Sequence, residues 1–133
     1  MRTMRRRAGA LLTGALLLAG CDGGPKGPGV LDAAVDAPGP IGAVVLQIDG
    51  YGITGFTGQG DTRAFGAQTR AATELEPARH RVVLVDGDGT GLRFGIRVDD
   101  LSAEPPLVTV VLAAGTDNRP TLLTGLVPRV DEP

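Results

Sequence analysis

Tryptophan is absent from this sequence, and tyrosine occurs once, at Tyr51; with three phenylalanines, aromatics make up 3% of the 133 residues. A sugar-binding surface of stacked Trp and Tyr rings is thereby left without its usual parts. Any core must be filled by Val, Leu, Ile and Ala, within an apolar content of 42%. Cysteine also occurs once, at Cys21, so an intramolecular disulfide is excluded. His80 and Ser102 are the only histidine and the only serine. One His and one Cys leave no zinc set. A Ser–His–Asp triad would have to use both single residues, yet Ser102 lies in "DDLSAEPP" without a nucleophile-elbow pattern. Nowhere do roughly twenty apolar residues run together, as a membrane-spanning helix requires. Basic residues are scarce beyond the N-terminus: without Arg2, Arg5, Arg6 and Arg7, nine face fifteen acidic ones, a formal charge of about −6. That balance argues against nucleic acid, whose phosphates call for a basic patch.

What is present begins with a leader. "MRTMRRR" is a positive n-region, and Ala8 to Ala19 follow without a charge. Twelve residues rise about 18 Å as a helix, which suits a signal-peptide h-region and is too short to span. The stretch Leu18-Ala19-Gly20-Cys21 resembles the lipobox of bacterial lipoproteins. The resemblance implies cleavage between Gly20 and Cys21 and a diacylglycerol on the Cys21 thiol, so residues 1–20 are expected to be the signal peptide and the mature protein to be held on a membrane of the cell envelope. Several acyl chains, at about 0.8 kcal/mol per buried CH₂, suffice to anchor a protein that has no span.

Residues 21–40 are rich in Gly and Pro and have no apolar period, which reads as the lipidated Cys followed by a flexible tether. From Ile41 the pattern changes. In "IGAVVLQID" (41–49), Val44, Leu46 and Ile48 share one face. "LRFGIRV" (92–98) alternates Leu92, Phe94, Ile96 and Val98 against Arg93, Gly95 and Arg97. "RVVLVD" (81–86) reads as a short strand, "LVTVVLA" (107–113) as a central one, and "TLLTGLVP" (121–128) as a last one ended by Pro128. Residues 51–72 hold two or three weaker strands, with 68–75 open to strand or short helix. The expected fold for 41–130 is all-β: a small antiparallel sandwich of about seven strands.

Four features bear on chemistry. Gly50-x-Gly52-x-x-Gly55 follows a strand as a dinucleotide fingerprint does, but "FTGQGDT" starts no helix to receive a pyrophosphate, so a Gly-rich turn is expected and no nucleotide. "DGDGTG" (86–91) matches the start of a calcium loop, with Arg97 where the bidentate Glu belongs. Two readings stay open there: a weak calcium site on Asp86 and Asp88, aided by Asp99 or Asp100, and a plain hairpin turn. Arg93 and Arg97 flank Gly95 on the polar side of one strand, a notch able to receive an acidic partner group. The carboxylate pairs Glu74/Glu76 and Asp99/Asp100 would serve acid–base chemistry on sugars or be surface charge.

The order "GAVVLQID…ITG…RHRVVLVDGDGTGLRFGIRV" resembles cohesin-type domains, through Gly42-Ala43, the Val-rich run Arg81 to Val85, and Leu92, Phe94 and Val98. The resemblance implies a sandwich of the cohesin or carbohydrate-binding kind. The expectation is a lipid-anchored binding or scaffolding module without a cofactor, its partner an envelope protein or a glycan. A carbohydrate-active enzyme or enzyme subunit working through surface carboxylates, and a purely structural envelope protein, are the alternatives.

Overall fold

Alternation at every second position is the rule that builds this domain, because successive side chains of a strand point to opposite faces. A computed structural model describes residues 24–133; the leader, Gly20 and Cys21 lie outside the described residues. Eight strands follow in order: β1 (Gly29–Asp36), β2 (Ala43–Gly50), β3 (Ile53–Gly58), β4 (Arg63–Arg70), β5 (Ala78–Val85), β6 (Leu92–Val98), β7 (Leu107–Ala114) and β8 (Val127–Val130). They form two four-stranded antiparallel sheets, ordered β3-β6-β1-β8 and β4-β5-β2-β7. No described residue is helical.

The inner faces meet in an aliphatic core. Leu46, Ile48, Val82 and Leu84 from one sheet pack against Leu92, Phe94 and Ile96 from the other, with Leu31, Ala33 and Val35 beside them. Phe94 is the only aromatic fully buried in it. The alternation in 92–98 is realised at the apolar positions and the arginines: Leu92, Phe94, Ile96 and Val98 are buried and both arginines are exposed, while Gly95 on the arginine side is buried too.

Four segments differ from the sequence expectation. Residues 29–36, assigned to the tether by composition, are strand β1, paired to β6 along seven residues and to β8 on its other side. Leu31, Ala33 and Val35 face the core while Asp32 and Asp36 face solvent, so a period of two lies beneath the Gly/Pro bias of the surrounding stretch. Strand β7 is an edge strand, not a central one. Residues 121–126 form a loop with a turn at Thr124-Gly125 rather than a strand, and β8 begins at Val127 with Pro128 inside it. Pro128 is tolerated because β8 is the sheet edge, where a missing N–H breaks no ladder. Finally, Gln68 to Arg70 complete β4, and 71–77 is a loop in which the Thr73 hydroxyl accepts the N–H groups of Leu75 and Glu76.

Candidate functional site

The "DGDGTG" turn joins β5 to β6, and Asp86 at its head is 1% exposed. One carboxylate oxygen accepts the Asp88 N–H at 3.0 Å; the other accepts the Thr90 hydroxyl and the Gly91 N–H, each at 3.2 Å. Burial pushes this carboxyl up, but these bonds together outweigh it and hold Asp86 below the usual carboxylate range. Both oxygens are thus committed to shaping the turn. Asp99 and Asp100, the further ligands considered for calcium, follow β6 at the opposite end of the sandwich, about 20 Å away along a seven-residue strand. Among the described residues no three His, Cys, Asp or Glu side chains gather as a metal site would require.

Arg93 and Arg97 do share the outer face of β6. The notch between them is occupied: a Cβ on Gly95 would lie 2.6 Å from Val30 Cγ1, so the neighbouring strand fills the space with a methyl group. Arg97 instead extends sideways over Gly55 to the edge strand β3. There it borders a cleft of about 440 Å³ between β3 and β4, together with Phe56, Gln68 and His80. His80 is buried, edge-on to the Phe56 ring at 5.4 Å, and its Nδ1 has no hydrogen-bond partner. Burial lowers its pKa, against weaker opposing effects of the Ile48 backbone and the Asp49 carboxylate. Ser102 lies in the β6–β7 loop, its hydroxyl donating to Asp100 at 2.7 Å. The Gly50-x-Gly52-x-x-Gly55 stretch is a turn into β3, with Gly52 at a φ of +67°.

A further feature is one that sequence reading passes over. On the outer face of the sheet β4-β5-β2-β7, cross-strand pairing lines up Phe65, Val83, Val45 and Leu112 in one row. The next row is Arg63, Val85, Ala43 and Ala114. Phe65 and Leu112 are 61% and 62% exposed. With strands about 4.8 Å apart, the first row runs about 14 Å across the sheet. The turn 115–120, fastened by the Ala114–Pro120 bridge, walls one corner, where Asn118, Pro120, Val83 and Leu112 border a depression of about 240 Å³. Arg63 and Arg81 flank the first row on β4 and β5, exposed and without an ion pair among the described residues. The signal for this face was the run 107–113, apolar but for Thr109, together with Val83 and Val85, apolar on both sides of strands of which one lies at an edge.

Comparison with protein-family models, curated proteins and solved structures finds no match, so no relative lends this chain a function.

Proposed function

We propose that this chain is a bacterial envelope lipoprotein, anchored through Cys21, whose sandwich is a non-catalytic binding or scaffolding module. Its partner surface is the outer face of β4-β5-β2-β7. The observation that carries this reading is the exposed apolar row Phe65, Val83, Val45 and Leu112. Contiguous apolar surface of this kind marks interaction sites. The partner is a protein that offers aliphatic side chains to the row and carboxylates to Arg63 and Arg81. A glycan fits less well, since Phe65 is the only ring on this face and the single tyrosine lies elsewhere.

A photo-reactive residue placed at Leu112 in cells tests the surface, with one at Thr57 on the other sheet as control. The expected result is one discrete adduct with a different protein from Leu112, none from Thr57, and a several-fold lower yield when Arg81→Glu is added. Adducts only between two copies of this chain, equal adducts from both positions, or none at all would overturn the surface. Mass spectrometry of the mature N-terminus tests the anchor independently: an acylated Cys21 is expected, and an intact Met1 on soluble protein overturns it.

A further inference from the structure

The strand register places four connections at one end of the sandwich. Gly29 pairs with Val98 and Val98 with Ile53; Gly50 pairs with Ala78 and Asp49 with Leu107. The leading segment 24–28, the turn 51–52 and the loops 71–77 and 99–106 therefore lie together. At this end the leading segment is held fast. The Gly27 N–H donates to Asp100 Oδ1 at 3.1 Å, and the Leu101 N–H donates to the Gly27 carbonyl at 2.8 Å. The same Asp100 oxygen accepts the Ser102 N–H and hydroxyl. Gly29 lies so close under Leu101 that any Cβ there would overlap its side chain. The stretch between Cys21 and the sandwich is thus not the nineteen residues of a Gly/Pro tether. Only residues 22–26 separate Cys21 from the clamp, a reach of at most about 20 Å.

Three apolar side chains project at this same end: Tyr51 at 51% exposure, Leu75 at 92% and Leu107 at 66%. Tyr51 and Leu75 come from two connections and Leu107 from the first position of β7, and all three border one shallow recess with Pro105 and Pro77. The loop carrying Leu75 is ordered by the Thr73 hydroxyl and by the Arg70 guanidinium donating to the Pro77 carbonyl at 3.1 Å. Four of the charges lining the recess are paired, Arg79 with Asp49 at 2.7 Å and Arg70 with Glu76 at 3.3 Å, and Glu104 lines it as well. Glu74 and Glu104 stand exposed nearby, which disfavours a strongly anionic surface.

We infer that this end is a lipid-contact surface: Tyr51, Leu75 and Leu107 rest in the interfacial layer of a zwitterionic membrane, beside the anchor. The inference rests on the anchor at Cys21 proposed above. A leash of five residues keeps this end near the bilayer, and a tyrosine flanked by leucines suits a layer that is apolar on one side and wet on the other.

Tyr51 is the only tyrosine and there is no tryptophan, so its emission is an intrinsic reporter of this end. The test reconstitutes the lipidated full chain in phosphatidylcholine vesicles with and without bromine on the acyl chains. Co-flotation with both vesicle types and a loss of Tyr51 emission in the brominated ones are expected. The loss should be reversed in the double variant Leu75→Asp, Leu107→Asp, which alters exposed positions only. Co-flotation with unchanged emission overturns the lipid contact and leaves the anchor standing. Failure to float overturns the anchor, and the lipid contact with it.

Discussion

Asp86 shows how one side chain decides what its motif does. Asp, Gly and Thr at these spacings suit a cation and a tight turn equally well in sequence, because composition does not say where the carboxylate lone pairs go. In the fold they go to the Asp88 and Gly91 N–H groups and the Thr90 hydroxyl. Its pKa is lowered from the ordinary 3.8. The ionised form is the one the turn binds, so its contribution to stability is complete above that ordinary value and is lost as pH falls through the lowered one. Asp86→Asn is expected to lower the thermal midpoint at neutral pH. The gap from the parent chain should stay constant down to about pH 4 and close below it, as circular dichroism melts across pH would show. A gap that persists unchanged at lower pH would mean that the charge of Asp86 is not what matters. The arginines of β6 show a second limit of sequence. Their shared face was legible from alternation, but the Val30 methyl filling the notch belongs to a strand distant in the chain.

Elements were legible in proportion to how plainly their period stood out from local composition. β6 was read with its bounds, since four apolar and two charged residues alternate there without interruption. β1 was not, because Pro25, Pro28, Pro38 and Pro40 bracket it and give the whole stretch the look of a linker. β7 was found but misplaced. A run apolar on both sides normally marks a strand covered on both faces, whereas here one face is left uncovered among the described residues. The position of β1 between β6 and β8 has a direct consequence. A chain beginning at Ile41 lacks an inner strand of one sheet, with its core residues Leu31, Ala33 and Val35, and leaves an edge of β6 unpaired. It is expected to lose cooperative urea unfolding altogether, while a chain beginning at Gly24 keeps it. If the shorter chain unfolds cooperatively with the same midpoint, β1 is dispensable and the sandwich closes without it.

At the scale of the whole molecule, the core and the exposed apolar row occupy different layers. The core lies between the sheets, and the apolar row lies outside them. Phe65→Thr and Leu112→Thr keep strand-forming residues at these sites and remove the exposed apolar groups. Each is expected to change the free energy of unfolding by no more than about 0.5 kcal/mol, measured by urea denaturation, and Phe65→Thr is expected to abolish the adduct formed by a photo-reactive residue at Leu112. A loss of several kcal/mol would instead make the row part of the fold.

The clamp between Gly27 and Asp100 ties these layers to direction. With the leashed end on a bilayer, the strands stand along the membrane normal, and the row from Phe65 to Leu112 lies level with the membrane plane. Val45 is four residues up β2 from Asp49, so the row sits about 13 Å above the lowest strand positions. A partner fixed in the same membrane would meet it at a constant height and by diffusion in two dimensions. Encounters so confined raise the effective concentration of the two faces, and a contact too weak to survive dilution in solution would still be occupied at the surface.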